Sequence, residues 1–173
     1  MKIELKNVKF YEKLSEETNC FIADLYADGK RIGYCKNDGQ GGSTYVNPWD
    51  KNALPTFNEA EEYCKSLPPI VYNDDFSIPS NLENVVDDLF EKWLIEKNNK
   101  KIQKELLKSM DKGICLQIGD NERQVVKFKM GGKAISLSDG LKYPHFVEHI
   151  KQFCHTAKKN GAKILNTNLP FEI

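Results

Sequence analysis

The chain has 173 residues, 40% of them apolar and 29% charged, and its 25 Lys and Arg balance 25 Asp and Glu. This is the composition of a folded protein of one domain, or at most two small ones, and not of a disordered chain. Zero net charge gives no bulk attraction to nucleic acid or to an anionic membrane, so any such binding would need a local patch. No run approaches the ~18 apolar residues of a membrane span. The alternating start, Met1-Lys2-Ile3-Glu4-Leu5, is not that of a signal peptide. A cytoplasmic protein is the expectation.

Five cysteines, Cys20, Cys35, Cys64, Cys115 and Cys154, are odd in number and widely spaced, with no C-x-x-C pair. They read as small core residues in a reducing compartment, not as a zinc or redox centre.

Ile3 and Leu5 alternate with charged residues, and Val8 and Phe10 alternate in the opposite phase. That predicts a strand with a bulge near Asn7. A second strand over 19–26 carries Cys20, Ile22, Leu25 and Tyr26. Asp28-Gly29 then turns the chain into a third strand at 31–35, since both residues tolerate positive φ. The first 36 residues thus read as a three-stranded antiparallel meander. A glycine-rich stretch, Asn37 to Tyr45, follows, and Asn47-Pro48-Trp49-Asp50 reads as a turn. A helix is predicted over 56–66, capped by Thr56 with Glu59 in capping-box register. Its apolar face is Ala60, Tyr63 and Leu67, and Pro68-Pro69 stops it.

Residues 68–80, with three of the seven prolines, read as a linker between 1–67 and 81–173. A long helix is predicted over 81–112. Leu82, Val86, Leu89 and Trp93 form one stripe, and Ile95, Ile102, Leu106 and Met110 another. The apolar face changes sides near Asn98-Asn99, so either the helix breaks there or one long helix packs against different things at its two ends, and the lack of an interrupting Gly or Pro favours the second. Gly113 ends the helix. Strands are predicted at 114–118, 123–129 and 133–137, linked by Gly119-Asp120-Asn121 and Gly131-Gly132. A helix over 144–159 follows, with Pro144 first, an apolar face of Phe146, Ile150, Phe153 and Ala157, and Asn160-Gly161 as its C-cap. A short strand at 162–165 precedes an irregular tail. The fold class is α+β: antiparallel sheets from an N-terminal meander and a C-terminal three-strand unit, packed by a long central helix and a C-terminal helix.

Three features could carry chemistry. In the glycine stretch, Gly39, Gly41 and Gly42 would let the backbone approach a small anionic ligand. Arg31 and Lys36 would add charge, Asn37, Asp38 and Ser43 polar groups, and Tyr45 a stacking face. Its spacing matches neither a P-loop nor a dinucleotide fingerprint, and the plainer reading is a loop joining strand to helix. His145, Glu148 and His149 form H-x-x-E-H, which resembles the inverted zinc peptidases over five residues only. An ordinary amphipathic helix accounts for them, and no metal or other cofactor is implied. Lys97, Lys100, Lys101, Lys104 and Lys108 form one basic helix face. It suits the helix dipole, or could hold phosphate. No Ser/His/Asp arrangement supports nucleophilic catalysis, and Glu16, Glu17, Asp74 and Asp75 stand as isolated carboxylates.

The segments Ser15-Glu16-Glu17-Thr18, Cys20-Phe21, Tyr26-Ala27-Asp28-Gly29-Lys30, Gly33 and Asn37-Asp38-Gly39-Gln40-Gly41-Gly42 carry a resemblance. So do Val86-Asp87-Asp88-Leu89-Phe90-Glu91-Lys92-Trp93-Leu94 and Lys112-Gly113-Ile114. Together they resemble uncharacterised small proteins of bacteriophage and bacterial mobile-element genomes. The resemblance implies a context, an infected or element-bearing bacterium, and brings no activity or catalytic residue with it. The expectation is a non-enzymatic binding protein that occupies a host protein or sequesters a small ligand, with a homodimer through the long helix as an option. The alternative is a nucleotide- or nucleic-acid-directed enzyme that holds phosphate on the glycine loop or the lysine face.

Overall fold

A computed structural model of the chain describes residues 1–73, 76–119 and 122–172. Asp74 and Asp75, and the Asp120-Asn121 step of the expected turn, lie outside the described residues. The architecture is α+β, and the chain divides into two compact units, Met1–Glu96 and Lys97–Ile173.

In the first unit β1 (Ile3–Phe10), β2 (Phe21–Ala27), β3 (Lys30–Asn37) and β4 (Tyr45–Pro48) form an antiparallel sheet in that order. The bulge near Asn7 is present. The register of β1 on β2 shifts between Lys6 and Lys9, and Asn7 sits at φ 52°. Asp28 and Gly29, at φ 46° and 80°, make the expected two-residue turn. The meander has four strands, not three, because Asn47 and Pro48 end β4 instead of forming a turn. On an edge strand the missing N–H of proline breaks no ladder. The apolar phase of β2 also differs. Phe21, Ala23, Leu25 and Ala27 are buried, while Ile22 faces out and is 37% exposed.

The first helix, α1 (Leu54–Lys65), begins two residues before its expected start. Pro55 occupies its first turn and Asp50 Oδ1 accepts from the N–H groups of Asn52 and Ala53, so Thr56 lies inside the helix and caps nothing. Phe57, Ala60 and Cys64 are its buried residues. Residues 68–80 hold a small hairpin, β5 (Ile70–Asn73) with β6 (Phe76–Ile78). Asn81 then caps α2 (Leu82–Lys112), its Oδ1 accepting from Asn84 N at 2.8 Å. Leu82, Val86 and Phe90 of α2 enter the core, where the Phe90 ring stacks on Phe21 at 3.9 Å between centroids.

In the second unit α2 ends at Gly113, where a Cβ would fall 2.1 Å from the Val126 carbonyl oxygen, so no larger residue fits. The expected three consecutive strands are two sheets. β7 (Ile114–Ile118) pairs with β8 (Glu122–Val126) and with β11 (Lys163–Ile164), while β9 (Phe128–Met130) and β10 (Lys133–Ile135) form a separate hairpin through Gly131-Gly132. A short helix not expected from the sequence, α3 (Leu137–Gly140), is capped by Ser136, whose Oγ accepts from Asp139 N. The last helix, α4 (Pro144–Lys159), has its expected bounds. At its end Gly161 N donates to Lys158 O and Ala162 N to Ala157 O, the paired bonds of a Schellman cap. Ile114, Leu116, Phe128, Leu137, Phe146, Ile150 and Cys154 form the core. Of the second apolar stripe expected on α2, Met110 is buried and Ile102 is 45% exposed.

Candidate functional site

Strand alternation, together with a register shift beside Arg31, divides the glycine-loop candidates between the two faces of the N-terminal sheet. Asn37 points inward and is buried. Its Oδ1 accepts from Thr18 Oγ1 and from Gly39 N, and its Nδ2 donates to Gly42 O and to Thr44 Oγ1, at 2.8–3.1 Å. Gly39 O accepts from the backbone N–H groups of Glu16, Glu17 and Thr18, and Gly41 N donates to Thr18 Oγ1. The loop is therefore stitched to the Ser15–Thr18 segment, and the N–H groups of Gly39 and Gly41 already have acceptors within the chain. Beside it lies a cleft of about 840 Å³ whose lining includes Glu17, Asp87, Asp88 and Glu91 and, among the described residues, no Lys or Arg. An anion would meet carboxylates there. The Asp87 carboxyl is held above the usual range by partial burial, and by the nearby Glu83, against the bond from Thr44.

Arg31, Lys36 and Tyr45 stand on the other, outer face. Lys36 is the register partner of both Ile22 and Tyr45, and Tyr34 that of both Asp24 and Asn47, so these side chains share a surface. Among them are large groups that a folded protein usually covers: Tyr34, Tyr45 and Trp49 are 42%, 63% and 51% exposed. Arg31 organises the middle of this face. Its guanidinium lies over the Trp49 ring, 3.1 Å from the centroid, and pairs with Asp24 Oδ1. The other Asp24 oxygen accepts from Asn7 Nδ2 at 2.7 Å, so the bulge in β1 supplies a wall. A groove of about 740 Å³ runs here, lined by Asn7, Ile22, Asp24, Arg31, Tyr34 and Trp49 among others. Arg31 Nε is buried without a hydrogen-bond partner among the described residues. Lys36 is paired with Asp38 at 2.7 Å, which blunts its charge.

Ile22, Asp24, Tyr34 and Trp49 were not among the sequence candidates. Their signal is present in the sequence, however: Ile22 and Tyr34 are large apolar or aromatic residues at the outward positions of strands whose inward positions are already apolar.

In the second unit the five candidate lysines of α2 are all exposed. His145, Glu148 and His149 are exposed too, with His149 edge-on to Phe128. Among the described residues no three His, Cys, Asp or Glu side chains gather where they could hold a metal ion, and no helix is long and apolar enough to cross a membrane. Cys35, Cys64, Cys115 and Cys154 are buried, and burial pushes the Cys35 thiol up to about 12. No family model matches the chain, and no curated protein or solved structure matches it either.

Proposed function

We propose that this protein acts by binding, not by catalysis, and that the outer face of its N-terminal sheet receives a protein partner. The observation that carries this reading is the exposure of Tyr34, Tyr45, Trp49 and Ile22 on one face of the sheet, with Arg31 stacked on Trp49. Trp, Tyr and Arg are the residue types that dominate interface energetics. An aromatic side chain carries roughly 150–250 Å² of surface to be buried. The cluster stands on a hydrogen-bonded sheet, and Arg31 is already fixed by Trp49 and Asp24, so little ordering entropy opposes docking. The resemblance to phage and mobile-element proteins favours a host protein as the partner.

The test is a photo-crosslinking residue in place of Tyr45, used in bacterial cells that make the protein. One discrete protein adduct is expected, lost when Tyr34→Ser and Trp49→Ser are introduced together. Absence of any adduct, or adducts indifferent to the double substitution, would defeat the reading.

A further inference from the structure

The zero net charge of the chain is the sum of two large opposite charges. Met1–Glu96 holds 18 Asp and Glu against 10 Lys and Arg, a net −8, and Lys97–Ile173 holds 15 Lys and Arg against 7 Asp and Glu, a net +8. All fifteen basic side chains of the second unit are exposed. Five of them, Lys97, Lys100, Lys101, Lys104 and Lys108, fall on α2 within an arc of about 100° and along about 16 Å of its axis. They add to the positive potential of a unit whose net charge is +8, and a dense run of negative charge is drawn to such a surface.

We propose that the second unit binds the phosphate backbone of duplex nucleic acid, with this lysine stripe at the centre of the contact. A duplex carries one negative charge per about 1.7 Å of axis, so several phosphates face a stripe of this length. Single-stranded nucleic acid is the poorer fit, because it is held by aromatic stacking platforms. The exposed Phe, Tyr or Trp of this unit among the described residues is Tyr143, which precedes α4 and lies off the stripe. A lipid surface also fits less well. Membrane-surface helices need one apolar face to insert, whereas the exposed Ile102 and Leu107 lie about 140° apart around α2. The contact is to the backbone and independent of base sequence. It presents the second unit, and not the acidic first unit, to the nucleic acid.

The test uses the full chain and a short labelled DNA duplex, with binding followed by fluorescence anisotropy from 50 to 200 mM salt. Five phosphate contacts give a log–log salt slope of about −4.5 and a loss of affinity of about 10²–10³-fold over that range. Lys100→Glu with Lys104→Glu should make the slope shallower by about 2 and weaken binding at 50 mM by about tenfold or more. Lys100→Arg with Lys104→Arg should retain both, which separates lost charge from lost folding. Three results would overturn the proposal: duplex binding that does not depend on salt or is absent, tighter binding to phosphatidylserine vesicles than to the duplex, or low-salt self-association that duplex does not compete. The last would assign the basic unit to the acidic unit of a second copy.

Discussion

Thr44 donates its hydroxyl to the Asp87 carboxylate at 2.5 Å, across 43 residues of sequence, and so ties the glycine loop to α2. Its backbone N–H reaches Glu83 Oε1 one turn earlier on the same helix, at 3.2 Å. The loop between β3 and β4 is thus a fixed part of the first unit.

The Asp87 bond gives a pH dependence with a definite sign. Partial burial, with Glu83 nearby, raises the Asp87 carboxyl above its usual value. Between the usual and the raised value the folded protein binds more protons than the unfolded chain, so this group's contribution to stability falls as pH rises through that window and stays low above it. Asp87→Asn keeps an acceptor for Thr44 and removes the titration. Urea unfolding of both proteins should show the variant gaining stability relative to the parent at pH 7 compared with about pH 4. A difference independent of pH would contradict the assignment.

Asn37 supports the loop as a donor and as an acceptor at once. Asn37→Asp keeps the acceptor and deletes both donated bonds at a buried site. A loss of about 2–4 kcal/mol is expected in denaturant unfolding. A loss under about 0.5 kcal/mol would show that water replaces those bonds.

The loop glycines should divide sharply by site. Gly39 has φ +84°, and an added Cβ would fall 2.3 Å from the Leu14 carbonyl oxygen, so Gly39→Ala should cost about 3 kcal/mol. Nothing lies within 4 Å of a Cβ at Gly42, which carries no positive-φ constraint, so Gly42→Ala should stay within about 0.5 kcal/mol. Thermal melts of the two variants check the contrast, and equal effects would mean that the loop rearranges.

Thiol labelling reads the core directly. Cys20 is half-buried, while Cys35, Cys64, Cys115 and Cys154 are buried, and burial raises the thiols of all four. An aromatic disulfide reagent at neutral pH should titrate one thiol quickly and the other four only as the protein unfolds. A second fast thiol would locate an opening that the packing does not predict.

The elements legible in the sequence are those specified by local chemistry. Asp28-Gly29 and Gly131-Gly132 announce their turns through positive φ. Pro144 and Asn160-Gly161 bracket α4, because a missing N–H suits a helix start and a left-handed glycine suits its end. What stayed hidden depends on tertiary context. Asn47-Pro48 carries turn chemistry, and only the edge position of β4 makes a strand of it. Ile22 suits a core as well as a surface, and Phe21 takes the core phase of β2 by stacking on Phe90. Arg31, Lys36, Asn37 and Tyr45 are close in sequence, which groups them into one candidate site. The pleat sends Asn37 inward and Lys36 and Tyr45 outward, while the register shift opposite Leu25 and Tyr26 turns Arg31 outward, where Trp49 covers it. The opposite charges of the two units are visible in the composition only after the division at Glu96 and Lys97 is known.

Asn166 receives the Cys115 N–H at 2.7 Å and donates to the carbonyls of Met110 and Gly113, closing the C-terminal end of α2 from the last irregular stretch of chain. Shortening the protein by eight residues would therefore open a helix that ends more than fifty positions earlier. Asn168 Nδ2 also reaches the Met110 carbonyl, and Leu169 and Phe171 beyond it pack against the core, so affinity tags and fusions belong at exposed Met1 and the far end should be left whole.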